Sequence, residues 1–260
     1  MKRIRSESEF ICELAMMFIK LPFYFVLILA GRKKPDDLIT KIKQLFKFFF
    51  EPKLTIMLIS VNVFVFMLEM TVLPGSVIER LAFKPSDLYN FNIFSIISSM
   101  FLHASFKHLT GNMIFLYIFG RIVEKEFNNK MLWIYFGSGL ISMFVSGLFH
   151  QGGIGASGAV AGLISTAILY RPFYITFLTG VPLPIFFLGW VAIFNDLTGI
   201  LSGTKDNIGH IAHLAGYLAI TLLVFTFNLK QRKRLLKGLI INFLILLSFY
   251  SLLPSGLKIF

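Results

Sequence analysis

Long apolar runs separated by short basic or Gly- and Pro-containing stretches set the pattern of this chain. A bilayer-spanning helix takes roughly 17–25 largely apolar residues, and seven segments meet or approach that length. The first is Leu54 to Met70, and the second lies within Ile93 to Gly120. The third is Met131 to Phe149, the fourth Ser157 to Tyr170, and the fifth lies within Phe173 to Leu197. The sixth is Ile208 to Leu229 and the seventh Leu239 to Leu253. The fourth is short and starts at a Gly-rich loop. Its backbone is expected to enter at membrane depth before turning helical, which is tolerated only when it is buried in protein or lines a wet cavity. Phe10 to Ala30 reads as an interfacial amphipathic helix, because Glu13, Lys20 and Pro22 interrupt it. A further span is the alternative.

Composition turns the pattern into a class. Of 260 residues, 56% are hydrophobic and 15% charged, and 31 are Phe. Ordinary soluble domains carry about 25% charged residues, so a water-facing surface could not be covered. The fold class expected is an all-α polytopic membrane protein. Disordered, collagen-like and disulfide-rich classes are excluded, and the single Cys12 allows no internal disulfide.

The net charge of +12 first suggests nucleic acid. The basic residues, however, sit between apolar runs and not on one domain, so no nucleic-acid partner is expected. With the N-terminus inside and seven alternating spans, only Arg80, Lys84, Lys107, Lys205 and Lys258 fall outside, against 20 of the 25 basic residues inside. That asymmetry sets a cytoplasmic N-terminus. It also turns the Gly-rich loop before Ser157 to the outer face. Without a transit-peptide pattern, the expected location is the cell membrane. No internal repeat is visible, which argues against the common secondary transporters. A channel or transporter built around the polar residues remains a minor alternative.

Polar residues inside spans are costly and are functional candidates by default. Gly155-Ala156-Ser157-Gly158 heads the short fourth helix, with Ser157, Ala161 and Ser165 on one face and Gly158 and Gly162 beside it. Small faces let helix backbones approach closely, and Ser157 could be no more than part of such a stripe. In the sixth span Ala212 and Gly216 form a second small face with His213 beside it. His213 alone could be a cross-helix hydrogen bonder. A Ser and a His on two small-residue faces are nevertheless what a Ser–His pair requires, since hydroxyl and imidazole must meet at about 2.6–3.2 Å. At the outer end of the second span His108 and Asn112 are four apart and share a face, where both could donate to an oxyanion. His103, five residues before His108, is expected to point elsewhere. No Cys or carboxylate stands at a spacing that would complete a metal site, so no metal is expected.

These motifs together resemble the rhomboid family of intramembrane serine proteases. The resemblance is carried by His103, His108 and Asn112 in the second span, Gly155-x-Ser157-Gly158 in the fourth, and Ala212-His213-x-x-Gly216 in the sixth. It covers Leu54 to Leu229 and implies a six-helix catalytic core, residues 54–229. A basic cytoplasmic region, residues 1–53, precedes the core, and residues 230–260 add a basic loop and a C-terminal seventh transmembrane helix. By resemblance Ser157 is the nucleophile and His213 its base, a dyad with no Asp. Asn112, His108 and the Ser157 N–H form the oxyanion hole. His103 is structural or water-handling, with Gly155, Gly158 and Gly216 shaping the site. Gly199 to Asn207 resembles a mobile cap. The implied substrates are transmembrane proteins, cleaved near the outer membrane boundary without a cofactor. A catalytically inactive relative that binds transmembrane clients is the alternative. Three features depart from the family pattern. Ile220 stands where relatives often have a second Gly, Ala161 where some have an aromatic residue, and Thr71 to Asn92 holds no Trp-Arg pair.

Overall fold

Proline, glycine and capping serine decide where the apolar runs begin and end as helices. The computed structural model describes residues 22–23, 26–31, 35–176, 178, 181–203, 209–223 and 227–252, and the fold is mostly helical. It divides into two compact units, Met1–Lys53 with Ile175–Leu183, and Leu54–Tyr174 with Pro184–Phe260.

In the first unit, α1 (Pro35–Phe49) is amphipathic. Ile39, Ile42 and Phe46 are exposed and follow i, i+3, i+7 along one face. The interfacial helix expected over Phe10 to Ala30 falls largely outside the described residues.

The second unit contains α2 (Lys53–Thr71), α3 (Gly75–Leu81), α4 (Ser86–Tyr89) and α5 (Ile93–Ser98). A 3-10 turn, Ser99–Phe101, leads to α6 (Phe106–Phe127), α7 (Lys130–Leu148) and α8 (Ser157–Tyr170). Two short strands, Ile175–Thr176 and Leu183–Pro184, come next in the chain, the residues Ile175–Leu183 belonging to the first unit, and α9 (Ile185–Ser202) lies in the second. Then come α10 (His210–Leu223) and α11 (Leu229–Leu252). Among the described residues α2, α7 and α9 are long and apolar enough to cross a membrane, and α8 and α10 are shorter apolar helices.

Two expected spans start inside their expected ranges and run past the ends of them. The second, expected within Ile93 to Gly120, forms its long helix only from Phe106. The chain is extended at Leu102 and Ser105, and α6 starts at Phe106 because the Ser105 side chain accepts the His108 N–H at 3.1 Å. It then continues past Gly120 to Phe127. The fifth, expected within Phe173 to Leu197, begins only at Ile185, directly after Pro184, which cannot lie in a helix interior. It runs on to Ser202, where Gly203 caps it at φ +62°. The expected cap therefore starts as the last turn of α9, and residues 204–208 lie outside the described ones.

Helix α8 is the core. Its residues from Gly158 to Ile168 are all buried, and with 14 residues it reaches only about 21 Å. Glycine makes the burial possible. A Cβ on Gly158 would collide with Ser142, one on Gly162 with Ser138, and one on Gly216 with the Gly158 carbonyl. Helices α8 and α10 thus meet backbone to backbone, and α7 sets serine side chains against the glycines of α8, the packing expected of small residues in a membrane protein. Ser142 adds a hydrogen bond from its Oγ to the Ala212 carbonyl at 2.7 Å.

One end of the unit is tied by charge. Glu124 at the end of α6 accepts from the Leu54 N–H at 2.9 Å, the Thr55 N–H at 2.8 Å and Thr55 Oγ1 at 2.7 Å. A carboxylate thereby satisfies the orphan donors at the start of α2. Arg171 pairs with Glu126, its Nε 2.6 Å from Oε1, and Arg234 of α11 lies 4.1 Å over the Tyr170 ring. Deeper along α11, buried Asn242 donates to the Ile168 carbonyl at 2.9 Å and accepts from Trp190 Nε1 at 2.9 Å.

Candidate active site

Four segments converge on the start of α8. The first is the approach to α6. His103 lies before that helix, and its N–H donates to Glu69 Oε2 at 3.2 Å. Its Nδ1 is 3.2 Å from the Phe101 carbonyl, while Nε2 is buried without a hydrogen-bond partner. The His103 ring meets the His108 ring edge-on at 5.1 Å. The expectation that His103 points elsewhere is thus corrected. Helical spacing does not apply, because the two residues lie on opposite sides of the helix start.

The second segment is the Gly-rich loop. Gly155 has φ +124°, open to glycine alone without strain, and its N–H donates to the Ser99 carbonyl at 2.8 Å. The Gly153 N–H donates to the Phe83 carbonyl at 3.1 Å. These bonds satisfy backbone that runs through the protein interior. A Cβ on Gly155 would stand 2.7 Å from His108 Cε1, 2.9 Å from His108 Nε2 and 3.6 Å from Asn112 Nδ2. The His108 and Asn112 side chains therefore close on the chain two residues before Ser157. Asn112 Nδ2 is buried and has no partner, so a donor stands idle beside this loop.

The third segment is Ser157 itself, the first residue of α8, where helical N–H groups lack intrahelical acceptors and carry partial positive charge. The fourth is α10. Gly216 rests on Gly158 and Ala161, and the Gly158 α-carbon faces the Ala212 carbonyl. His213 stands beside this seam, on the helix that adjoins Ser157. Ser157 and His213 thus stand on adjoining helices next to the Gly158–Ala212 contact, with His108 and Asn112 against Gly155, while among the described residues no hydrogen bond joins the Ser157 hydroxyl to the His213 imidazole.

An additional group was not foreseen. Asp196, buried on α9, accepts from Nδ1 of His213 at 2.8 Å and from Nδ1 of His210 at 2.8 Å through Oδ1. Its Oδ2 accepts from the Tyr217 hydroxyl at 2.9 Å.

Residues 90–230, more than half of the chain, match the Rhomboid domain. The chain belongs to the rhomboid family. Among similar proteins of Arabidopsis thaliana are Rhomboid-like protein 11, chloroplastic, 34% identical over 147 residues, which are 51% of each chain. RHOMBOID-like protein 12, mitochondrial, is 31% identical over 146 residues, 47% of this chain and 43% of that one. RHOMBOID-like protein 1 is 27% identical over 156 residues, 56% and 37% respectively. The chain spans about half or less of the length of these relatives. His103, His108, Asn112, Ser157, Asp196 and His213 all lie within the matched rhomboid region.

Sequence reasoning passed over Asp196, His210, Tyr217 and Glu69. A signal for Asp196 was present, since it is the one acid in an otherwise apolar Ile185–Ser202 run and such residues are functional candidates. Its partners lie 14 to 21 residues away on another helix, beyond any spacing rule. The expectation that no carboxylate accompanies the histidines is corrected accordingly. Asp196, His210 and His213 bring ligand atoms within 4.8 Å of one another, a grouping able to hold a metal ion. Both imidazole Nδ1 atoms are already hydrogen-bonded to a single carboxylate oxygen, which is the geometry of a proton-ordered cluster.

Proposed function

We propose that this rhomboid-family protein is an intramembrane serine endopeptidase that cuts transmembrane segments of other membrane proteins near the outer membrane boundary. The observation that carries the reading is that His108 and Asn112, the latter with its amide donor unpartnered, close on Gly155 two residues before Ser157, while the helix bearing His213 packs on Gly158. In this reading the protein has a six-helix core with α11 as an added seventh transmembrane helix. Residues 1–53 form its cytoplasmic basic region.

The mechanism is acyl transfer. Neutral His213 takes the proton of Ser157 as Oγ attacks the scissile carbonyl. Asn112, His108 and the Ser157 N–H stabilise the oxyanion, one such donor being worth about 3 kcal/mol of barrier. His213 returns the proton to the leaving amine, and water then hydrolyses the acyl-enzyme. No metal or cofactor enters the chemistry.

Ser157→Ala and His213→Ala should each abolish cleavage of a model transmembrane substrate while the protein still inserts. A fluorophosphonate probe should label Ser157. Cleavage at the wild-type rate by either variant would sink the assignment. A wild type that neither cleaves nor takes the probe, yet retains a transmembrane client, would favour the alternative of a client-binding relative without catalysis. The orientation belongs to the same proposal, with a cell membrane, a cytoplasmic N-terminus and a site opening outward. A membrane-impermeant thiol reagent added outside should modify a cysteine introduced at Thr204 but not one at Lys233.

A further inference from the structure

We infer that Asp196 positions the catalytic imidazole, so that the site works as a Ser–His–Asp arrangement assembled from α8, α10 and α9. This rests on the endopeptidase reading and deepens it. A carboxylate in a spanning segment costs roughly 2.5–3.5 kcal/mol on insertion scales, so Asp196 needs compensation. Three donors on one face of α10 supply it. His210, His213 and Tyr217 follow i, i+3, i+7, and each reaches the carboxylate at 2.8 or 2.9 Å.

The bonds also settle which nitrogen does what. An ionised carboxylate only accepts hydrogen bonds, so His213 must present Nδ1–H to it. Nε2 then carries the lone pair, the atom a general base uses. When the Ser157 proton moves from Oγ to Nε2, His213 becomes an imidazolium, and the Asp196 charge at 2.8 Å stabilises it. Asp196 takes no proton, and the Nδ1–H stays on the ring throughout. His210 and Tyr217 hold the carboxylate in place by filling its remaining acceptor sites.

A plain clamp between α9 and α10 would use the same hydrogen bonds, so the test reads chemistry apart from folding. Asp196→Asn in the full chain, reconstituted in liposomes, should lower kcat by about 10³- to 10⁴-fold, the scale of a wrong imidazole tautomer. KM and the unfolding temperature should change little, and Asp196→Glu should recover part of kcat. Should Asp196→Asn not fold, the wild type still answers. A far-downfield imidazole N–H proton resonance is expected, and it should vanish in His213→Ala.

Wild-type kcat in Asp196→Asn, or absence of that resonance, overturns the inference. Activity lost to a chelator and restored by zinc overturns it in favour of a metal on the same three side chains. A wild type that neither cleaves nor takes the fluorophosphonate probe overturns the endopeptidase reading and this role together. Labelling and cleavage with an indifferent Asp196→Asn overturns this role alone.

Discussion

The seam between α8 and α10 makes a quantitative demand on Gly216. A Cβ there would overlap the Gly158 carbonyl oxygen and stand 2.9 Å from the Ala161 Cβ. Gly158 adjoins Ser157, and Gly216 lies one turn beyond His213, so relief must come from moving the two helices apart. Restoring normal contact takes about 1 Å, and overpacking of this kind costs about 1–3 kcal/mol. The same shift separates the serine from the imidazole, and misplacement by 1 Å can cost about 10²-fold in rate. Gly216→Ala is therefore expected to lower the unfolding temperature in detergent and to reduce kcat about 100-fold, with KM nearly unchanged. Cleavage of a fluorogenic transmembrane substrate in liposomes measures the rate. Gly111→Ala is the control. That exposed α6 position has nothing within 4 Å of an added Cβ, and the substitution should stabilise by about 0.5–1 kcal/mol through helix propensity. Wild-type stability and kcat in Gly216→Ala would refute the argument from close packing.

Other outcomes follow from the same contacts. Gly155→Ala should abolish activity and lower stability, because it meets both a positive φ and the His108 ring; unchanged cleavage would show that the ring does not rest there. Glu124→Ala removes the three bonds at the start of α2 and should destabilise by about 2 kcal/mol, within the range for charge-assisted bonds, read by denaturant unfolding in micelles. Asn242→Leu leaves the Trp190 N–H unpartnered and should cost about 1–3 kcal/mol. It should also make α11 more accessible to added protease, without changing the KM of the core for substrate.

The helical membrane character and the four candidate residues first singled out were legible in the chain because each has a local signature. Few charges among long apolar runs leave a chain no soluble surface. Ser157, His213, His108 and Asn112 stand out because polar side chains are rare in such runs and here lie beside small residues or one turn apart. Helix ends were less legible. The run from Ile93 is apolar enough for a span, yet a single capping hydrogen bond from the His108 N–H to Ser105 and an extended segment move the start of α6 to Phe106.

Only tertiary packing decided the remainder. Asp196 is a conspicuous acid in α9, but nothing in its neighbourhood along the chain names His210, His213 and Tyr217 as its partners. They become partners because α9 and α10 pack side by side. Likewise Gly155 is just a glycine until its φ and the facing His108 ring show why no Cβ fits. Sequence patterns report the spacing of residues within one element, whereas distances of 2.8 Å between elements depend on how the helices pack. That is why Ser157 and His213 stand out in the chain as candidates, while the Asp196 carboxylate hydrogen-bonded to His213 emerged only from the fold.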